Sequence, residues 1–409
     1  MKVKKLLVFL ILLFCIFNVK ALELNISSKN AVLYNAKDDE VLYEKDSSNK
    51  VQIASLTKIM TALVVLDNVD DLDKQIIVNG EDLKGLAEAN LVTAGFTVGS
   101  VVTYRDLLYG LLLPSGADAA NVLTRNISDD FINLMNNKVQ ELKLENTHFS
   151  NAIGLDDENN YSSAKDLLII FKKALENEDF RKIITTKQYT TSDGKLTFNS
   201  TVQGNSRKYN IDVSYIEGAK TGTTDGAGLC LASFAKDDNV ELILVTTGAL
   251  YDKKRPHNID DAKTIYDYFI KNYNNQKVVE KSKSFKSLKT KYATVDEVKI
   301  YPSKDVIKYL ADDYDRNDIK YKYQGKKVIK YNTRGKIGIL KIYYKDILLD
   351  TQKVYMKQKL KFSIQKFIID NILYIALGFG LLMILFVVVR KKKNSWFYLF
   401  VLWKYDKLV

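Results

Sequence analysis

Residues Ala54-Ser55-Leu56-Thr57-Lys58-Ile59-Met60-Thr61-Ala62-Leu63-Val64-Val65-Leu66 join a serine and a lysine, three positions apart, to an apolar run with few breakers. The run reads as a buried helix. Residues at i and i+3 share a helix face, so this spacing brings the Lys58 amine within reach of the Ser55 hydroxyl. A neutral amine there takes the hydroxyl proton as the oxygen attacks a carbonyl. A free lysine titrates near ~10.4, so such a use requires a lowered pKa. Partial burial and a second nearby cation, for which Lys220 is the candidate, both favour the neutral amine. Taken alone, a Ser-x-x-Lys spacing is also what a serine capping a helix N-terminus produces.

Two further strings follow in order and at wide spacing: Ser115-Gly116-Ala117, and Lys220-Thr221-Gly222-Thr223. The last runs into Gly226-Ala227-Gly228 and the apolar Leu229-Cys230-Leu231-Ala232-Ser233-Phe234, which reads as strand, turn and strand. A strand edge carrying Lys220, Thr221 and Thr223 lies beside a substrate backbone. The backbone amides of Ser55 and Thr223 then form an oxyanion hole, of which one donor is worth about 2.7–4 kcal/mol in the transition state. Any one of the strings occurs in unrelated globular proteins; all three in register carry the reading.

With these residues in view, the segment from about Ala31 to Ile270 resembles the low-molecular-weight penicillin-binding proteins, the serine-type D-alanyl-D-alanine carboxypeptidases of the S11 DD-peptidase family. The context extends beyond the three motifs. Val101-Val102-Thr103-Tyr104-Arg105-Asp106-Leu107-Leu108-Tyr109-Gly110 to Pro114 resembles the family's approach to the second motif. Asn146-Thr147-His148-Phe149, Gly154-Leu155, Tyr161-Ser162-Ser163-Ala164-Lys165-Asp166-Leu167 and Ile216-Glu217-Gly218-Ala219 match its later framework. The resemblance implies an α+β fold of the β-lactamase/DD-peptidase type, an antiparallel sheet with helices and a helical lobe. It also implies a reaction: Ser55 attacks the penultimate D-Ala carbonyl of a peptidoglycan stem peptide, the terminal D-Ala leaves, and water releases the acyl-enzyme. Lys58 is then the general base, Ser115 relays protons to the leaving amine, and Lys220 and Thr221 hold substrate and its terminal carboxylate. β-Lactams, which resemble the dipeptide, would acylate the same serine. No cofactor and no metal are implied. His148 and His257 are too few and too scattered for a zinc cluster, and His148 reads as structural.

One position departs from the pattern. The second motif usually reads Ser-x-Asn, and here Ala117 replaces the asparagine. A methyl group bonds neither substrate nor lysine; Asn121, one helical turn later on roughly the same face, is the candidate to compensate. Arg255 falls near where the family keeps an arginine for the substrate carboxylate, a role suited to the guanidinium fork. The adjoining Lys253, Lys254 and Pro256-His257-Asn258 leave a solvated loop charge as the alternative reading.

The chain begins Met1-Lys2-Val3-Lys4-Lys5, continues with an apolar run from Leu6 to Phe17 and reaches Val19-Lys20-Ala21: a secretory signal peptide over residues 1–21, cut after Ala21. Cys230 is then the only cysteine left, so no internal disulfide forms. Near the other end, Ile372 to Val389 is unbroken and apolar, and with Phe367-Ile368-Ile369 it reads as a membrane span over about 367–389, within a stalk-and-helix segment 362–389. Lysines flank it on both sides, so the positive-inside rule does not orient it. Export of the N-terminus does, leaving residues 390–409, with Trp396-Phe397-Tyr398 and Trp403, as a cytoplasmic tail and the catalytic domain outside the cell.

Between enzyme and anchor, residues 277–361 contain alternating runs such as Val298-Lys299-Ile300-Tyr301 and Ile337-Gly338-Ile339-Leu340-Lys341-Ile342. They read as a small β domain resembling the family's C-terminal sandwich. The formal charge of +12 is unevenly divided: residues 22–276 carry 27 Lys and Arg against 37 Asp and Glu, whereas residues 277–366 carry 24 against 10. The basic part adjoins the anchor and is expected over anionic headgroups or acidic wall polymers; export and anchoring argue against nucleic acid as partner. Two other classes share part of the pattern. A β-lactamase has the Ser-x-x-Lys and Lys-Thr-Gly strings, but no dedicated glutamate motif follows Ser115 here. A weakly active or non-catalytic wall-binding protein accounts for Ala117 but leaves the intact nucleophile and lysines without a purpose.

Overall fold

The computed structural model describes residues 22–237 and 240–405, with the backbone alone at 393–399, 401, 402 and 405. The expected signal peptide, with its cleavage point, lies outside the described residues, as does most of the aromatic tail's side-chain structure. The chain divides into two compact units, Met1–Tyr273 and Asn274–Val409, three residues ahead of the boundary expected from composition.

The first unit is built on an antiparallel sheet of five strands: β1 (Asn30–Asn35), β2 (Glu40–Lys45), β3 (Ile216–Thr224), β4 (Gly228–Asp237) and β5 (Val240–Ala249), in the order β2-β1-β5-β4-β3. The Lys220-Thr221-Gly222 string therefore lies on an edge strand. Its pairing with β4 matches Gly222 to Cys230 and Thr223 to Leu229. Backbone groups of β3 that do not pair with β4 are left facing outward, as at any sheet edge.

Helix α1 (Thr57–Asn68) is the element on which the helical lobe is assembled. Every residue from Thr57 to Val65 is buried. A helix apolar on all faces belongs in the middle of a core, and Ile59, Met60, Leu63 and Val64 pack in one cluster with residues from the surrounding helices and the sheet. Helix α2 (Tyr104–Leu112) starts at Thr103, whose hydroxyl accepts from the Asp106 amide while the Asp106 carboxylate accepts from the Thr103 amide. It stops before Pro114, and after a tight turn the chain enters α3 (Ala117–Ile127). Helix α4 (Thr201–Tyr209) precedes β3, and α5 (His257–Asn272) closes the unit.

In the second unit one three-stranded sheet contains β6 (Lys286–Lys291), β7 (Glu297–Ile300) and β9 (Val328–Lys330). The other contains β8 (Ile319–Gly325), β10 (Lys336–Tyr344) and β11 (Ile347–Tyr355). Alternate residues of the two sheets, among them Leu288, Val298, Ile329, Leu340, Ile342 and Val354, bury a single core, as the period-two pattern requires. The chain then enters α6 (Ile364–Tyr405), of which Ile364–Lys392 is long and apolar enough to cross a bilayer and is not buried against protein.

Candidate active site

The three strings converge. Lys58 Nζ donates to Ser55 Oγ at 3.0 Å and to the carbonyl of Ile153 at 2.6 Å. Lys220 Nζ donates to Ser115 Oγ at 2.8 Å and to the Thr221 carbonyl at 2.7 Å. Both amines are buried, Lys220 completely. Burial pulls the Lys58 amine down to about 7, against the opposing pull of the Asp118 carboxylate. Burial, and after it the Lys58 charge, holds Lys220 well below the ordinary lysine range. Each amine thus has a hydroxyl partner and a carbonyl, and among the described residues no carboxylate shares a hydrogen bond with either.

Backbone geometry sets Ser55 in place. It lies in a one-turn 3-10 helix, Ala54–Leu56, that leads into α1, and Ala54 adopts φ +48°. Ser115 has φ +73°. Neither is glycine, so each left-handed conformation costs on the order of 1–3 kcal/mol and persists only because the surroundings fix it. Two glycines allow the backbones to close on Ser55. A Cβ on Gly222 would stand 3.0 Å from the Ser55 amide nitrogen, and one on Gly154 would stand 2.1 Å from the Ala54 carbonyl oxygen. The Lys-Thr-Gly strand, the serine and the Ala152-Ile153-Gly154 segment are therefore in contact through main chain.

That segment runs along α1. Thr61 Oγ1 donates to the Ala152 carbonyl at 2.7 Å, one turn from the Lys58 contact with Ile153. Asn151 Oδ1 accepts from the amides of Gly154 and Leu155, which fixes the turn in which Gly154 takes φ +86°. Beyond it, Asp156 accepts from Thr224 Oγ1 at 2.6 Å and from the Gly226 amide at 3.0 Å, tying the segment to the β3–β4 turn. Across the strand, Thr221 Oγ1 shares a hydrogen bond of 2.8 Å with Thr201 Oγ1 at the start of α4.

The second motif is held by Asp118. Its carboxylate is completely buried and accepts four amides, from Ala94, Gly95, Phe96 and Ala119, at 2.7–3.0 Å. Gly116 passes so close to this knot that a Cβ would meet Asp118 Oδ1 at 2.5 Å. Ala117 is buried, and its amide donates to the Val92 carbonyl.

Sequence reasoning misjudged one residue and passed over others. Asn121 does not stand in for the missing asparagine: its amide donates to the Asp82 carbonyl, in a cluster where Arg125 forms a fork with the Asp82 carboxylate. One helical turn rotates and lifts a side chain enough to reach a different neighbour. Arg255 is exposed and donates Nε and Nη2 to Asp260 at 2.5 and 2.7 Å; among the described residues no hydrogen bond links it to the Ser55 group. His148 bonds the Asn159 carbonyl and lies beside the Tyr161 ring, as a framework residue does. Cys230 is a free, buried thiol that burial pushes up to about 12. The Ile153 carbonyl, Asp118 and Thr201 were not anticipated. The Asn151-x-x-Gly154 pattern was the available signal for the first, and an aspartate directly after the second motif for the second.

A serine hydroxyl bonded to a buried lysine amine on an α+β scaffold of this topology fits a serine-type hydrolase. A family model of D-alanyl-D-alanine carboxypeptidases matches residues 17–250, more than half of the chain. Among curated relatives, the D-alanyl-D-alanine carboxypeptidase DacF of Bacillus subtilis is 30% identical over 305 residues, which are 73% of this chain and 76% of that protein. The crystal structure of the Streptomyces K15 DD-transpeptidase superposes with a TM-score of 0.55 at 30% identity, over 61% of this chain and 98% of that one. Penicillin binding protein 5 from Haemophilus influenzae, at 23% identity, shares the fold with a TM-score of 0.61 over 83% of this chain and 99% of its own. The chain belongs to the S11 family of D-alanyl-D-alanine carboxypeptidases.

Substituting Gly154 by Ala sets a methyl group against the Ala54 carbonyl at a left-handed φ. Thermal denaturation should report a loss of about 1–3 kcal/mol. A variant as stable as the parent would contradict the close approach.

Proposed function

We propose that this D-Ala-D-Ala carboxypeptidase works through an acyl-enzyme on Ser55 with Lys58 as general base. The observation that supports it most is the 3.0 Å contact between a buried amine titrating near 7 and the serine hydroxyl. As Ser55 Oγ attacks the penultimate D-Ala carbonyl, its proton passes to neutral Lys58. The carbonyl oxygen gathers charge beside the amides of Ser55 and Thr223, an arrangement favoured by the approach of Gly222 to the Ser55 nitrogen. The peptide C–N bond breaks as the leaving amine takes a proton through Ser115, which Lys220 holds at 2.8 Å. Water then attacks the ester, a base accepts its proton, and Ser55 is regenerated.

The exposed edge of β3 suits a peptide lying alongside it as an added strand, which agrees with Lys220, Thr221 and Thr223 as substrate contacts. Arg255 takes the terminal carboxylate in this reading, exchanging Asp260 for it. β-Lactams acylate Ser55 by the same attack. Purified protein given a stem peptide ending in D-Ala-D-Ala should lose one D-Ala by mass spectrometry. Ser55→Ala should reduce the rate by at least about 10³-fold; an unaffected rate would remove Ser55 from the mechanism.

Because the base must be neutral, kcat/KM should rise about tenfold per pH unit below Lys58's apparent pKa and level off above about 7. The groups around that amine are Ser55, the Ile153 carbonyl, the Lys220 amine and the Asp118 carboxylate. Asp118 raises the Lys58 pKa, so Asp118→Asn should move this acid limb to lower pH, whatever its effect on the maximal rate. A limb that stays in place, or moves up, would rule out this coupling.

We further infer that α6 spans the membrane, with residues 22–363 outside the cell and the tail within. An apolar helix of sufficient length supports an anchor, and the charged and apolar N-terminal pattern supports export. Truncation after residue 363 should move the folded, active enzyme from the membrane fraction to the soluble one; retention on membranes would refute the anchor.

A further inference from the structure

The root of α6 is built into the β domain. The Ser363 amide donates to the Tyr292 carbonyl at 3.1 Å, the Thr294 amide to the Lys361 carbonyl at 3.0 Å, and Tyr292 Oη bonds Asn371 at 3.2 Å. Around these bonds four rings gather. Tyr292 and Phe367 have centroids 5.0 Å apart, Tyr331 and Phe362 4.8 Å, and Phe362 and Phe367 5.8 Å. Phe362 and Phe367 remain substantially exposed, at 46% and 39%.

Cations surround this aromatic group. Lys291 lies over the Tyr292 ring at 5.0 Å and is paired in register with Lys330 on the parallel strand β9. Arg334 reaches back to the carbonyls of Tyr331 and Thr333, and Lys361 immediately precedes Phe362. Lys366 is bound to Asp296 at 2.5 Å. The other four have no carboxylate partner among the described residues, and Lys330, Arg334 and Lys361 are exposed. The carboxylates nearest in sequence to Lys291 and Lys361 are Asp296, already paired, Glu297 on β7 and Asp370 on α6, and to Lys330 and Arg334 they are Asp318 and Asp346.

Height along the helix decides what such a collar meets. From Ile372 to Val389 the apolar stretch is about 27 Å long, close to the ~30 Å of a hydrocarbon core. With Ile372 at the hydrocarbon edge, Phe367 stands about 7 Å above it, within a headgroup layer roughly 5–7 Å thick. Two hydroxyl-tipped rings, Tyr292 and Tyr331, two phenylalanines and the cations grouped around them match the chemistry of that layer: amphipathic, and rich in phosphate.

We propose that this collar, formed by the β6–β7 and β9–β10 loops together with the root of α6, binds the phosphate-bearing headgroups of anionic phospholipids and seats the β domain on the bilayer. The proposal rests on the reading of α6 as a membrane span. It assigns a particular end of the domain to lipid, since β10 runs away from Arg334 for nine residues, about 30 Å, before reaching Tyr344. Lys320, opposite Tyr343, and Lys345 lie at that far end.

The test uses the chain without residues 1–21, reconstituted in nanodiscs of phosphatidylcholine alone or mixed with phosphatidylglycerol. Acetylation of each lysine is followed by mass spectrometry at low and high salt. Lys291, Lys330 and Lys361 should react about fivefold more slowly in the anionic discs, with the difference lost at high salt, while Lys320 and Lys345 stay unchanged. Hydrogen exchange at residues 291–296 and 330–334 should slow in the same discs, and less so in a K291Q/K330Q/K361Q variant. Equal reactivity in both lipids, or equal slowing at Lys320 and Lys345, would overturn the collar while leaving the anchor intact. Protein that never enters discs would overturn anchor and collar together. Protection of these lysines by soluble polyphosphate, without protection by anionic discs, would assign the surface to a wall polymer instead.

Discussion

Burying two lysine amines, each against its own serine hydroxyl, is the constraint that shapes this enzyme. Each ammonium taken out of water loses hydration, and the Lys58 charge further opposes that of Lys220. A carboxylate bonded directly to Lys58 would relieve the cost but would favour the charged amine. The protein instead supplies neutral partners, a hydroxyl and a backbone carbonyl for each amine. Its one buried anion nearby, Asp118, spends its lone pairs on four backbone amides. Its field still reaches Lys58, and it limits how far burial lowers that amine.

The packing follows from that arrangement. An amine can be kept dry only if the chains around it close to van der Waals distance, and here they close main chain to main chain. Gly222 and Gly154 approach Ser55 and Ala54 from opposite motifs, and Gly116 clears the Asp118 knot. Ala54 and Ser115 accept left-handed φ values at the same place. The stability given up in these contacts is recovered in α1, whose apolar residues fill the core behind the serine. Lys58 and the core residues share a single helix, so a change in one is felt by the other.

Much of this was legible in the sequence because it is written in side chains at fixed spacing. Ser55 and Lys58 meet because i and i+3 always do on a helix, and the alternating runs after residue 277 do form strands around one core. The apolar stretch after residue 371 forms one helix. What was not legible belongs to tertiary structure. The Ile153 carbonyl is a backbone group with no letter of its own. Asn121 lies one turn along the same helix, but Asp82, distant in sequence, takes its side chain, with Arg125 of that helix forked onto the same aspartate. Ala117 shows a third kind of limit: its position is clear, its amide is bonded to Val92, and nothing in the surrounding contacts replaces the lost carboxamide.

Cys230 sits opposite Gly222 in the sheet, directly behind the Lys-Thr-Gly strand. With its thiol held up to about 12 by burial, it carries almost no thiolate at any pH where Lys58 changes protonation state. The thiolate, not the thiol, is the nucleophile that attacks oxidants and disulfides. The strand that lines the cleft is thus backed by a sulfur that is chemically silent while the sheet is closed. Burial keeps this sulfur in its less reactive thiol form beside the Lys-Thr-Gly strand.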